Sequence, residues 1–238
     1  MFLPQWLVEV VTSFFPEAIF RKKTREKVVA LTIDDGPTPN EPDDRSMMMI
    51  LEAIDRHNQN IEDGRDRVRA TFFIITGHLR QDSPILWEIL QRGHEIGNHG
   101  TADGNPTLLT PQEFQAQLME AHERLSQFSE NIRWYRPARG LYNREMVKIL
   151  RWMDGYEPRF ALASMIPLDT FNLTENPHFT AWHASLHVFP GAILVLHGGT
   201  LGRSQRTAAA LKLLLPMLKR KGYRAVTLSE LWDYENND

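Results

Sequence analysis

The chain has no cysteine among its 238 residues, so disulfides and thiolate metal sites are both excluded, and any metal ion must rest on His, Asp or Glu. It also lacks a charge excess: 27 basic residues stand against 30 acidic ones, a net charge of −3, which gives no electrostatic case for nucleic acid. No run approaches the roughly 20 apolar residues that a membrane-spanning helix requires. Internal repeats, low-complexity tracts and interior linkers are missing too. What remains, 42% hydrophobic and 24% charged residues, is the composition of one globular domain with a substantial core.

The amino-terminal stretch stands apart. Residues 1–26 carry Glu9 and Glu17 within their apolar part and end in a basic cluster, the reverse of a cleavable signal peptide. Trp6, Leu7, Val10, Val11, Phe14 and Phe15 fall near helical spacing, which predicts an amphipathic helix. It is expected to pack on its own domain, with peripheral membrane association as the alternative. With neither signal nor span visible, a cytoplasmic location is the default expectation.

From residue 27 onward, short apolar runs alternate with helical patterns. "KVVALTI" (27–33), "RATFFII" (69–75), "EIGNH" (95–99), "IRWYR" (132–136), "RFALAS" (159–164), "GAILVLH" (191–197) and "YRAVTL" (223–228) read as strands buried on both faces. Between them lie helices over 44–57, after Ser83 and Pro84, from Thr110, from Asn143 and over 206–222. Thr110 and Glu113 stand in capping-box spacing. The alternation predicts one α/β domain, residues 27–238, with a parallel sheet.

Five polar clusters each follow one of these segments: Asp34 with Asp35, His99 with Asp103, Arg136 with Arg139, Asp169, and His197. Parallel α/β architectures place all such strand ends on one face, where distant segments converge. A pair of aspartates before Gly-Pro is also ordinary turn chemistry, so one cluster alone decides nothing. His94 is read as a support for its strand, and His57, His78, His122, His178, His183 and His187 as structural or exposed. The glycines of "HGGTLG" (197–202) lack the spacing of a phosphate loop.

Four of these stretches together resemble the polysaccharide deacetylase family, also called the NodB homology domain. They are "TIDDGP" (32–37), "HEIGNH" (94–99), "RPARG" (136–140) and "LVLH" (194–197), in the family's order from about Lys27 to Leu231. The resemblance implies a distorted (β/α) barrel of about seven strands and a metal-dependent hydrolase that removes N-linked acetyl groups from amino sugars of a polysaccharide or oligosaccharide. It casts Asp34 as general base, Asp35 and His99 as metal ligands and Arg136 as the residue that holds and orients Asp34. Because a second carboxylate, Asp35, stands beside Asp34, that planar guanidinium is expected to pair with Asp34 bidentately. The backbone N–H of Arg139 would receive the oxyanion, and His197 would act as general acid tuned by Asp169.

Two departures stand out. The family's second metal-binding histidine is replaced by Asp103 in "HGTADG" (99–104), which implies a site of Asp35, His99 and Asp103. Zinc is the expected ion, with cobalt, manganese or magnesium admitted by the extra oxygen ligand. In "DTFNL" (169–173), Leu173 stands where the family has a tryptophan lining the sugar groove. The resemblance thus implies an N-acetylated carbohydrate as partner, and neither nucleic acid nor a transmembrane span is expected. Two other readings compete: a metal-independent C–N hydrolase of a small molecule on the same scaffold, and a non-catalytic carbohydrate-binding module.

Overall fold

The computed structural model describes residues 5–165 and 176–234. Strands β1 (Ala18–Ile19), β2 (Val28–Gly36), β3 (Thr71–Ile74), β4 (Glu95–Asn98), β5 (Phe160–Ala161), β6 (Ile193–His197) and β7 (Arg224–Val226) are accompanied by eight helices among these residues. The helices are α1 (Gln5–Phe14), α2 (Arg45–Asn58), α3 (Ile85–Gln91), α4 (Pro111–Ser126), α5 (Arg144–Trp152), α6 (Pro177–His187), α7 (Leu201–Arg220) and α8 (Leu228–Trp232).

All paired strands are parallel. β2 is central, bonded to β3 and β6 along its upper part and to β7 along Val28–Ala30, and β3 carries β4. A few backbone bonds close the ring. Asn98 N–H donates to the Trp134 carbonyl, Ala161 N–H to that of Tyr135, and Val195 N–H to that of Met165, at 2.9–3.0 Å. The 132–136 segment therefore completes the barrel through one bridge, Asn98 to Tyr135, and not as the strand its sequence suggests. Its backbone runs too briefly beside β4 to form a ladder, and Pro137 cannot donate to one.

The side-chain alternation of β2 explains why its sequence is apolar throughout. Val28 and Ala30 point into the barrel with Phe73, Trp134, Ala161 and Ile193. Val29, Leu31 and Ile33 point outward, under the helices, with Ile50, Ile54 and Leu211. Period-two geometry then puts Thr32 and Asp34 at the top of the inward column, above a fully packed floor.

The helices follow local chemistry. Thr110 and Glu113 form the expected reciprocal cap on α4, and its Phe114, Leu118, Ala121 and Leu125 are buried. Asn143 caps α5 by accepting from Met146 N–H at 3.0 Å. The extension ahead of residue 27 is less separate than its composition suggests, because β1 pairs with β5. Helix α1 inserts Val8 completely, yet leaves Trp6, Val10 and Phe14 exposed, so it seats on a narrow edge and not on the broad stripe expected. No helix among the described residues is long and apolar enough to cross a membrane.

Candidate active site at the carboxyl ends of the strands

Asp34 and His197 are register partners on adjacent parallel strands, so their side chains leave the sheet on the same face. Gly198 N–H donates to the Asp34 carbonyl at 2.8 Å and holds the two strand ends together. Across the barrel mouth, Arg136 reaches back 102 residues to Asp34. Its Nη1 donates to Asp34 Oδ1 at 2.6 Å and to Thr32 Oγ1 at 2.7 Å, its Nε to the Ala161 carbonyl at 2.6 Å, and its Nη2 to the Leu162 carbonyl at 3.3 Å. The expected bidentate pair is therefore absent: one nitrogen serves Asp34, and the rest of the fork is spent on β5 and the residue after it. Burial pulls the Arg136 pKa down, while the charge and hydrogen bond of Asp34 act against that pull. The guanidinium also lies 4.1 Å from the centre of the Phe73 ring, a cation–π contact inside the barrel.

Neighbours on a regular strand face opposite ways, so Asp35 should point away from Asp34. It breaks the alternation inside β2, at an irregularity in the pairing with β3: its φ is +67°, a left-handed conformation that costs a non-glycine residue of order 1–3 kcal/mol. Gly199 makes room for this kink, since a Cβ there would lie 2.8 Å from the Asp35 Cβ and its own φ is +78°. The second glycine of "HGGTLG" thus has a packing task that the sequence alone did not reveal.

So redirected, Asp35 places Oδ1 3.3 Å from His99 Nε2. The other ring nitrogen of His99, Nδ1, lies 2.7 Å from the Arg136 carbonyl. A carbonyl can only accept, so Nδ1 carries a proton, and a neutral His99 turns the Nε2 lone pair toward the carboxylate. Two bases facing each other across 3.3 Å require a cation between them, either a proton or a metal ion. For two ligands about 2.1 Å from one ion, that separation is the expected one for adjacent coordination positions. Burial alone would raise the Asp35 pKa. The hydrogen bond and charge of His99, with the charges of His197 and Arg203, outweigh it and hold the carboxyl at about 2. Burial opposes a charge on His99, yet Asp35 and Asp34 together raise its pKa. Asn98 anchors the turn after this ligand, accepting from Gly100 N–H at 2.7 Å and donating to the Tyr156 hydroxyl at 2.8 Å.

The remaining expected site residues divide. Asp103 is exposed in the loop after β4, and among the described residues no three His, Cys, Asp or Glu side chains gather to hold a metal ion. The third ligand assigned to Asp103 is therefore not brought to Asp35 and His99, because the chain after Gly100 turns outward to solvent. Arg139 has an exposed side chain and a φ of +61°, a strained backbone beside the barrel mouth. Asp169 and Leu173 lie outside the described residues. His94 supports its strand as expected, accepting from Ala70 N–H at 3.2 Å through Nδ1. A cavity of about 690 Å³ near His94, Glu95 and Tyr156 sits by the opposite ends of the strands and holds none of the converging groups above.

Arg203 is the residue that sequence reasoning missed. It stands 168 positions from Asp35 and donates through Nη1 to Asp35 Oδ2 at 2.8 Å. Nothing in its neighbourhood of the sequence marks it.

Residues 21–156 match the polysaccharide deacetylase family model, more than half of the chain, and the chain belongs to that family. Among its relatives is the peptidoglycan-N-acetylglucosamine deacetylase of Bacillus cereus (strain ATCC 14579), 28% identical over 211 residues that cover 89% of this chain and 91% of that protein. Two of the solved structures that share the fold serve as examples. One is BA3943, described as a CE4 family pseudoenzyme from Bacillus anthracis, at TM-score 0.76 and 24% identity, covering 94% of this chain and 71% of that one. The other is a family 4 acetyl xylan esterase from Clostridium thermocellum in complex with a cobalt ion, at TM-score 0.72 and 24% identity, covering 87% and 90%. The distorted barrel expected from the sequence is the fold these structures share with the chain.

Proposed function

We propose that this chain is a hydrolase that removes N-acetyl groups from amino sugars of a polysaccharide, with the glycan of peptidoglycan as substrate class and a divalent metal ion as cofactor. The observation that supports it most is the joint placement of Asp34, held by Arg136, beside His197 and beside the facing pair of Asp35 and His99. The likeness to a peptidoglycan deacetylase over nine-tenths of both chains directs the substrate class.

Asp35 and His99 fit as the protein ligands of the ion. A divalent ion bound there would act as a Lewis acid, bringing the pKa of a water from about 15.7 toward about 7. Asp34 then accepts a proton from the attacking water through Oδ2, while Arg136 holds Oδ1 and keeps the carboxylate aimed. The Arg139 backbone N–H is assigned to receive the oxygen that gains charge in the tetrahedral intermediate. His197, on the same face as Asp34, donates the proton that the departing amine requires. Asp169 is assigned to tune His197, and Leu173 to line the sugar groove.

The test is release of acetate from N-acetylglucosamine oligomers and from purified peptidoglycan, with chelated protein and with protein reloaded with cobalt or zinc. Acetate that depends on the ion and vanishes in Asp34→Asn supports the reading. Equal acetate release from chelated and reloaded protein would favour the metal-independent amide hydrolase instead.

A further inference from the structure

The carboxylate of Asp35 is divided between two partners. Oδ1 faces His99, and Oδ2 holds the guanidinium of Arg203. Arg203 sits on the first turn of α7, where Thr200 caps the helix by accepting from Arg203 N–H at 3.2 Å. That is an adverse place for a positive charge, because a helix N-terminus is itself positive, and the turn carries no acidic residue. What offsets it is Asp35, from another strand.

Each carboxylate of the site therefore has a guanidinium partner of its own. Asp34 is matched by Arg136 and Asp35 by Arg203. A divalent ion between Asp35 and His99 would have to share one carboxylate with a guanidinium, which cannot give up its proton to relieve the conflict. Arg203 can only move. Its side chain is 28% exposed, against 4% for Arg136, so solvent is open to it.

We propose that Arg203 is a built-in competitor of the metal ion: it neutralises Asp35 when the ion is absent and leaves it when the ion binds. The chain would then hold its metal weakly and exchangeably, the more so because Asp103 supplies no third anchor. Arg203 acts through Asp35 and is a positioning residue, not a catalytic one. This rests on the reading that a divalent ion sits between Asp35 and His99.

The experiment is calorimetric titration of chelator-stripped full chain with cobalt, for native protein, Arg203→Gln, Arg203→Met, Arg203→Lys and Asp35→Asn. Removing the competing charge in Arg203→Gln or Arg203→Met should tighten binding by about tenfold or more. Arg203→Lys, which keeps the charge, should stay near the native value, and Asp35→Asn should lose binding. The two neutral variants serve as folding controls for each other, with thermal melts run alongside. Unchanged or weaker cobalt binding in both neutral variants would overturn the role of Arg203 while leaving the metal reading intact, provided Asp35→Asn abolishes binding. If native and neutral variants alike bind no cobalt, the metal reading fails and this role fails with it.

Discussion

Arg136 and Asp34 form a buried ion pair through one nitrogen and one oxygen, 2.6 Å apart, while the other donors of the guanidinium hold Thr32 and the carbonyls of Ala161 and Leu162. The arginine is thus as much a strut of the barrel wall as a partner of the base. Replacing it must disturb both.

Arg136→Lys should therefore lose activity and stability together. A lysine keeps the charge but cannot serve Asp34, Thr32 and two carbonyls at once, so buried acceptors go unpaired at about 1–3 kcal/mol each. The expected outcome is a melting temperature several degrees lower and a large fall in kcat. A melt equal to the native one would show that the carbonyl contacts carry little.

Asp34→Asn and His197→Ala should each lower deacetylation by about a hundredfold or more, the scale of positioned acid and base groups. Neither residue is assigned as a ligand, so metal content by mass spectrometry should stay at the native level. A parallel loss of metal would reassign that residue to the metal site.

Gly199→Ala tests the kink at Asp35. The added methyl would meet Asp35 at 2.8 Å in a left-handed backbone, so a loss of about 1–3 kcal/mol and weaker cobalt binding are expected. Gly202→Ala is the control. It lies inside α7, its Cβ would meet nothing closer than 3.7 Å, and it should stabilise by about 0.5–1 kcal/mol.

Asp103→Ala should leave cobalt affinity within about twofold of native, since the side chain is exposed and does not gather with Asp35 and His99. A tenfold loss would restore Asp103 to the ligand set that the sequence motif implies.

His94 sets an acid limit on stability. Burial, aided by Arg92 and Arg69 against the pull of Asp55, depresses its pKa from 6.5 to about 4. The unfolded chain therefore binds the extra proton between those values, and stability falls as pH drops from 6.5 toward 4, by up to roughly 3 kcal/mol. Chemical denaturation of native protein and His94→Gln across that range should show a shallower decline in the variant.

The sequence by itself determined the architecture and most of the site's members. Continuous apolar runs separated by helical patterns leave a parallel α/β fold as the economical solution, and that fold collects Asp34, Asp35, His99, Arg136 and His197 at one end because each lies at the carboxyl end of a strand or, for Arg136, of the segment bridged to β4. The capping box at Thr110 was equally legible, being a local signal. Only the tertiary structure decided which partner each carboxylate takes. One left-handed residue turns Asp35 toward His99, a solvent-facing loop carries Asp103 away, and helix α7 delivers Arg203 to Asp35 from 168 residues further along the chain. Spacing along a chain reports which face a side chain shares with its neighbours. It carries no record of how loops close across a barrel mouth, and contacts of 2.6–3.3 Å depend on that closure.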